Sequence, residues 1–224
     1  MTTVTIAPLE EMIPAWVDGL LTPVGKLAVH QRGLRHKAVS VFVMDGTRVL
    51  IQRRALSKYH TPGLWANTCC THPRWDEDAR ACAIRRLDEE LGITGLDPVF
   101  ADRVEYCADV GNGLTEHELV DIFVAKAPAG LPLNLNPDEV MATRWVELPD
   151  LAAEVARNPA PYTPWLRIYL SDHKDQIFGL RKSLTRYFSM GFASNLIHHF
   201  KPHRVANHGK TTAATASAAS SCAR

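Results

Sequence analysis

A dense apolar run at residues 38–44 (AVSVFVM) is followed at once by Asp45-Gly46 and by a second apolar stretch at residues 48–52. β-Branched residues dominate the first run, and Asp-Gly favours the positive φ angles of a tight turn. The pattern predicts two strands joined as a β-hairpin, so the chain is expected to fold around a sheet.

A helix is predicted over residues 76–91, where apolar side chains recur at helical spacing: Ala79, Ala83, Leu87 and Leu91. Asp76 is placed to cap the first turn, and Gly92 is placed to end the last one. Further strands are expected at 99–106, 115–125 and 143–146, and further helices at 148–157 and 165–188. Residues 57–71 read as a long loop.

Strands precede, separate and follow the helices without strict alternation, which predicts an α/β (α+β) fold in which a mixed sheet packs between helices. We expect an irregular lead-in at 1–24, a single domain at 25–188 and a C-terminal extension at 189–224. From about residue 203 the chain is mostly Thr, Ala and Ser without periodicity, and this composition predicts disorder.

Composition narrows the function classes. The formal net charge of the 224 residues is only +1, so no overall field favours nucleic acid or an anionic membrane, and a charged ligand needs a local cluster. No apolar run reaches the length of about 18 residues that a membrane span needs, and the N-terminus lacks a secretory pattern. Five cysteines, two of them adjacent, suggest reduced thiols rather than a disulfide framework. Together these features predict a cytoplasmic protein.

Two carboxylates, Glu116 and Glu118, lie in the predicted strand TEHELVDIFV at 115–124. Because strand side chains alternate, both carboxylates share a face with Val120, Ile122 and Val124. A buried carboxylate is costly unless something positive meets it. The alternative is an exposed strand end.

Histidines supply a second group of candidates, His30, His36 and His72. Each alone is more often structural than a ligand. Together with two carboxylates, however, they could fill five positions around a divalent ion with mixed nitrogen and oxygen ligands. In the adjoining segment Cys69-Cys70-Thr71-His72, Cys70 is a candidate reactive thiol, although a small buried residue is the simpler interpretation.

The segment RRLDEELGI at 85–93 pairs Arg85 with Glu89 and Arg86 with Glu90 at i,i+4. Such pairs are typical of a solvated helix face, but a row of carboxylates could also hold Mg²⁺ against a diphosphate. The stretch resembles the Nudix box, G-x5-E-x7-R-E-U-x-E-E-x-G-U, where U is aliphatic. The matching residues are Glu77, Arg85, Leu87, Glu89, Glu90, Gly92 and Ile93. Thr71 replaces the first Gly, and Arg86 replaces a metal-binding Glu, which implies the fold with damaged hydrolase chemistry.

Other motifs resemble the type I isopentenyl-diphosphate isomerases: RRALSK at 53–58, PGLWANTCCTHP at 62–73, K-x3-H at 26–30 and E-x-E at 116–118. The resemblance runs from about residue 25 to about residue 184. It implies a Nudix-like isomerase of isoprenoid biosynthesis. Such an enzyme interconverts isopentenyl and dimethylallyl diphosphate by protonation and deprotonation through a carbocation-like intermediate. The alternatives are a Nudix pyrophosphohydrolase and a non-catalytic metal-binding protein.

The same resemblance implies a role for each matching residue. The ligands of one divalent metal, Mn²⁺, Mg²⁺ or Zn²⁺, would be His30, His36, His72, Glu116 and Glu118. Cys70 would be one acid/base group, and Glu118 with Tyr106 the other. Glu90 and the Cys70 carbonyl would hold a Mg²⁺ that arrives with the diphosphate. The phosphate contacts would be Lys26, Arg54, Lys58 and Arg86, and Trp165 would stack over the hydrocarbon. The only partner expected is this small diphosphate; we expect no nucleic acid or membrane partner and make no prediction of oligomeric state.

Overall fold

The computed structural model describes residues 10–179. The strands are β1 (Met12–Val17), β2 (Leu20–Gly25), β3 (Arg35–Asp45), β4 (Arg48–Arg54), β5 (Trp65–Ala66), β6 (Cys69–Thr71), β7 (Val99–Gly111), β8 (Leu114–Lys126) and β9 (Val140–Glu147). The helices are α1 (Lys26–Arg32), α2 (Ala79–Leu91), α3 (Leu148–Arg157), α4 (Pro164–Ile168) and α5 (Lys174–Ile177), with a π-helical turn at Tyr169–His173.

Strand β3 is the centre of one mixed, nine-stranded sheet. One edge of β3 pairs in parallel with β8, and β7 continues the sheet as the antiparallel partner of β8. The other edge is shared by three antiparallel strands: β1 at the start, β6 in the middle and β4 at the end. Strand β4 in turn pairs with β5 and β9. All strands that carry predicted site residues therefore meet β3 directly or through β8.

Each face of the sheet is covered by helices and has its own apolar core. On one face, Val39, Val41 and Val43 of β3 pack with Leu87 and Leu91 of α2. On the opposite face, Ala38 and Phe42 of β3 pack with β8 residues and with side chains of α3, α4 and the π-helical turn, including Leu151, Leu166 and Tyr169. This two-sided burial confirms the predicted mixed sheet between helices, because the alternating side chains of β3 are apolar on both faces.

Helix α2 begins and ends at well-defined caps. The carboxylate of Asp78 accepts hydrogen bonds from the backbone N–H groups of Arg80 and Ala81, so Asp78 is the N-cap and the prediction of Asp76 is wrong by two residues. Asp76 instead has a φ of 64° and lies in the turn before the helix. Gly92 ends the helix as predicted, with a φ of 65° and its N–H donated to the carbonyl of Asp88.

The predicted lead-in at 1–24 is corrected by the structure, because residues 12–25 form the antiparallel β1–β2 hairpin. Its prolines, Pro14 and Pro23, lie opposite each other in the pair. Residues 57–71, predicted to be a loop, include the short strands β5 and β6. In the described part of the helix predicted at 165–188, the structure has α4, the π-helical turn and α5, which ends at Ile177; residues 180–188 lie outside the described residues. The extension at 189–224 lies outside the described residues, and the proposed domain boundaries stay predictions.

Among the cysteines of the described range, Cys69, Cys70 and Cys82 are free thiols, as predicted. Within residues 10–179, no helix is long and apolar enough to cross a membrane.

Candidate active site

Three elements carry the predicted metal-binding histidines to one point. His30 lies in the last turn of α1, His36 is the second residue of β3, and His72 directly follows β6. The Nδ1 atom of His30 lies 2.6 Å from the Lys26 carbonyl oxygen, and Nδ1 of His36 lies 2.7 Å from that of Leu34. Because a backbone carbonyl fixes Nδ1 as the protonated nitrogen, Nε2 of both rings is left as a potential ligand atom.

Strand register places the two carboxylates beside these rings. Glu118 of β8 is the direct register partner of His36, and Glu116 points to the same face two residues earlier. Glu116 and Glu118 share that face with the buried Val120 and Ile122, as the alternation predicted. The exposed-strand alternative is wrong, since Glu116 is only 2% and Glu118 5% exposed.

The ligand atoms lie close enough to surround one ion. Those of His30, His36, His72 and Glu116 all lie within 4.8 Å of one another. Nε2 of His36 is 3.2 Å from Nε2 of His72, and Nε2 of His72 is 2.9 Å from an oxygen of Glu118. Oε2 of Glu116 is buried without a hydrogen-bond partner, 3.3 Å from Nε2 of His30. A buried, unpartnered carboxylate oxygen among imidazole nitrogens fits a divalent metal ion.

The electrostatics of this cluster also favour a cation. Burial alone would lower the pKa of His36, but Glu116 and Glu118 outweigh it and raise the pKa to about 9. Burial alone would raise the pKa of Glu118, but contacts with His36 and His72 lower it well below its ordinary range. The two carboxylates therefore stabilise positive charge at the centre of the cluster.

Cys70 lies on β6, opposite Ser40 of β3, and belongs to the same face of the sheet. Its thiol is 2.8 Å from the Ser40 hydroxyl, which in turn is 3.0 Å from the hydroxyl of Tyr169. The thiol also lies 3.3 Å from the side-chain oxygen of Asn67. Burial, and then the charge of Glu118, raises the pKa of the Cys70 thiol well above its ordinary value.

Tyr106 of β7 faces Glu118 across the β7–β8 pair. Its hydroxyl donates a 2.5 Å hydrogen bond to Oε2 of Glu118, whereas Oε1 of Glu118 faces His72. Burial, followed by the charge of Glu118, raises the pKa of the Tyr106 phenol. One carboxylate is thus shared between the histidine cluster and a protonated phenol.

A single pocket is lined by most of the predicted site residues. The predicted residues in its wall are Lys26, Arg54, Lys58, Cys70, His72, Arg86, Tyr106, Glu116, Glu118 and Trp165. Arg54 is only 5% exposed, and its Nε atom has no hydrogen-bond partner. Within residues 10–179, no carboxylate is in ion-pair contact with Arg54, which instead lies 5.3 Å from the ring centroid of Trp165. A buried, unpaired guanidinium is costly, so this position favours an anionic ligand.

The other cations of the pocket have carboxylate partners. Lys26 lies 2.9 Å from Glu11, and both Lys58 and Arg86 contact Glu139. Arg86 also contacts Glu90 at 2.7 Å, which confirms the predicted i,i+4 pair. Glu90 is buried behind the pocket, where its second oxygen accepts a hydrogen bond from Gln52. The structure therefore does not place Glu90 in the pocket wall, and its role with Mg²⁺ stays a prediction.

Several residues of the site were missed by the sequence reasoning: Ser40, Tyr59, His60, Glu139 and Tyr169. Ser40 is a register neighbour of Cys70, but strand pairing could not be read from the chain. His60 lies in the 57–71 segment, where no periodic pattern marks a buried face. The acidic residue Glu139 lies just before β9 and carries no motif.

Comparison with known proteins identifies the family. The Nudix domain family matches residues 34–166. An isopentenyl-diphosphate delta-isomerase from Cereibacter sphaeroides is 71% identical over 171 residues, covering 76% of this chain and 97% of the relative. Relatives of the same name are 67% identical in Dinoroseobacter shibae, over 76% of this chain and 97% of the relative, and 59% identical in Rhodobacter capsulatus, over 75% and 96%. The chain belongs to the isopentenyl-diphosphate delta-isomerase family.

This isomerase family membership also confirms the type I, Nudix-superfamily resemblance drawn from the motifs. Among solved structures, DR0079 from Deinococcus radiodurans has a TM-score of 0.53 at 15% identity, covering 66% of this chain and 90% of that one, which supports the fold alone. The relatives carry the isomerase name, so the pyrophosphohydrolase alternative is not supported. The buried His/Glu cluster of this family member fits a divalent metal, without indicating which one.

Proposed function

We infer that this chain catalyses the interconversion of isopentenyl diphosphate and dimethylallyl diphosphate, a step of isoprenoid biosynthesis. The observation that carries the inference is a shared pocket wall: the thiol of Cys70, the Tyr106–Glu118 pair and the buried Arg54 all line it. Such a pocket offers two different proton-carrying groups and a site for an anion. It therefore suits a substrate that carries a diphosphate and an alkene whose double bond must move.

The reaction adds a proton at the terminal carbon of the alkene, which leaves a tertiary, carbocation-like centre, and removes a proton from the CH2 group on the other side of that centre. An unactivated alkene is a poor base, so the acid must be well placed and shielded from water. Cys70 serves one proton transfer, and Glu118 with Tyr106 serves the other. The ring of Trp165, itself buried, offers an aromatic face that stabilises positive charge without trapping it.

The proposed metal ligands are His30, His36, His72, Glu116 and Glu118, and the candidate ions are Mn²⁺, Mg²⁺ and Zn²⁺. When bound, the ion would offset the charge of the two carboxylates and polarise the Glu118–Tyr106 side of the pocket. The closeness of the ligand atoms of His30, His36, His72 and Glu116 supports the first four, and the 2.9 Å contact between His72 and Glu118 supports the fifth.

The diphosphate is assigned to the cationic part of the same pocket. Arg54 offers a guanidinium without a carboxylate partner, and Lys26, Lys58 and Arg86 supply further positive charge. A guanidinium can bind phosphate oxygens in a bidentate manner, whereas Lys acts as a point charge. A Mg²⁺ brought in by the substrate is proposed to meet Glu90 and the Cys70 carbonyl. A cytoplasmic location and the lack of a nucleic-acid partner stay predictions.

The direct test is incubation of the purified chain with isopentenyl diphosphate and Mg²⁺, with the product identified by NMR. Cys70→Ala and Glu118→Gln should each lower kcat by about 10³ or more, the scale of lost general acid/base catalysis. Each variant should still exchange hydrogen with deuterated water on the side that retains its proton-carrying group. Cys69→Ala is the matched control, because this neighbouring thiol lies behind the pocket and contacts Glu90. No dimethylallyl diphosphate from the wild-type chain would refute the proposal.

A further inference from the structure

The histidine-rich centre includes a fourth buried imidazole, His60, that the metal-ligand set does not use. His60 lies in the loop between β4 and β5, is 5% exposed and lines the pocket. Its ring stacks on that of His30, with centroids 5.5 Å apart and planes inclined by 24°. Because it touches the centre without belonging to the four residues whose ligand atoms converge, its role needs a separate explanation.

The two oxygens of Glu116 face different partners. Oε2 points to the ligand cluster, 3.3 Å from Nε2 of His30 and 3.6 Å from Nε2 of His36. Oε1 lies 3.2 Å from Nε2 of His60. We propose that His60 is a positioning residue, which holds Oε1 of Glu116 so that Oε2 stays directed at the metal position.

The chemistry of the contact assigns the hydrogen. An ionised carboxylate only accepts, so the proposed contact places the hydrogen of His60 on Nε2, which lies 3.2 Å from Oε1. The other ring nitrogen, Nδ1, lies 3.2 Å from the hydroxyl of Thr61, which can donate to it. Thr61, His60 and Glu116 thereby form a chain of polar contacts that ends on the metal-facing carboxylate.

The backbone around His60 is restrained, which fixes the position of the ring beside Glu116. Thr61 has a φ of 47°, which is rare for a β-branched residue and persists only where the surroundings fix it. One such restraint is the guanidinium of Arg54, which donates a 3.1 Å hydrogen bond to the carbonyl of His60. The same Arg54 lines the proposed diphosphate position, so the loop that orients Glu116 is fixed from the substrate side of the pocket.

This inference rests on the metal-dependent function proposed above, and its test uses metal affinity in addition to turnover. The apparent Kd for Mn²⁺ is measured on the full chain by competition with a chelator. His60→Ala should raise this Kd about 10- to 100-fold, as for residues that orient a metal ligand. His60→Gln should raise it less, because an amide N–H can still face Glu116. At saturating Mn²⁺, kcat of both variants should recover to within several-fold of the wild-type value.

His117→Gln is the matched control. His117 also faces a carboxylate, with Nε2 3.5 Å from Oε1 of Glu105, but it lies on β8 outside the pocket wall. The Kd of His117→Gln for Mn²⁺ should equal that of the wild type. Thr61→Val keeps the branched shape and removes the hydroxyl next to Nδ1, so it should weaken Mn²⁺ in the same direction as His60→Gln. Should His60→Ala fail to fold, His60→Gln and Thr61→Val decide the question.

Two results would overturn the positioning role. One is an unchanged Kd for Mn²⁺ in folded His60→Ala or, if that variant does not fold, in both His60→Gln and Thr61→Val. The other is a Co²⁺ absorption spectrum of saturated His60→Gln that shows the loss of a nitrogen ligand, since His60 would then bind the metal itself. A wild-type chain without isomerase activity but with a His60-dependent Kd would refute the proposed function and leave the positioning role standing. Isomerase activity together with a Kd for Mn²⁺ that does not depend on His60 would support the proposed function and refute the positioning role.

Discussion

Replacing Gly92 by alanine should destabilise the chain through two separate effects. Gly92 has a φ of 65°, and the left-handed region costs other residues about 1–2 kcal/mol. A Cβ added there would also lie 2.6 Å from Cβ of Asn134 and 3.0 Å from its backbone oxygen. Overpacking against backbone that cannot easily move costs about 1–3 kcal/mol. Together we expect Gly92→Ala to lower the free energy of unfolding by about 2–5 kcal/mol.

Gly95→Ala separates the two effects. Gly95 also has a positive φ, 75°, but an added Cβ would meet nothing within 4 Å. This variant should therefore lose only the conformational part, about 1–2 kcal/mol. Urea unfolding gives both free energies, and thermal unfolding should show a fall of about 2–4 °C per kcal/mol for a chain of this size. If Gly92→Ala is no less stable than Gly95→Ala, the close approach of residue 134 to the end of α2 is refuted.

Three further predictions concern the site. Cys70→Ser should be strongly impaired despite its similar size, because a hydroxyl is a much poorer acid, whereas Cys69→Ala should keep most of its turnover; the reverse pattern in kcat would assign the chemistry to the other thiol. Removing divalent metal with a strong chelator should abolish isomerisation and lower the Tm, and adding metal back should restore both; full activity in a demonstrably metal-free sample would contradict this. Lys58 and Arg86 outweigh burial and lower the pKa of Glu139 to about 2. The stabilisation that these ion pairs supply should therefore be complete above the ordinary carboxyl pKa and be lost as the pH falls toward 2. In urea unfolding, the free energy of unfolding of Glu139→Gln should change less with pH in that window than that of the wild type. Parallel plots of the two free energies against pH would contradict this.

Strand alternation was the most reliable guide to the site. It put Glu116 and Glu118 on one buried face, and the structure confirms this because the side-chain period of a strand leaves no alternative once one face is buried. The meeting of the three histidines could not be derived in the same way. They come from a helix, a strand and the residue after a strand, and only the tertiary pairing of β3 with β6 and β8 brings them together.

The strands that the sequence did not predict are β1, β2, β5 and β6, and each omission has a physical reason. The β1–β2 hairpin contains an Asp18-Gly19 turn like the one at Asp45-Gly46, but Pro14 and Pro23 argue against strands because proline cannot donate to a ladder. In the structure the two prolines lie opposite each other, so both missing N–H groups fall in the same pair of residues. Strands β5 and β6 are only two and three residues long and exist through their pairing with β4 and β3.

The carboxylates of α2 and those of β8 have different surroundings, and this difference locates the chemistry. On α2, Arg85 binds Glu77 and Glu89, and Arg86 binds both Glu89 and Glu90. These charges are thus compensated by the helix itself and by its approach loop. On β8, Glu116 keeps a buried oxygen without a hydrogen-bond partner. The ion-pair contacts of this oxygen are with the imidazoles of His30 and His36, which can also bind a divalent metal. The sheet rather than the Nudix helix is therefore where the structure fits a metal ion.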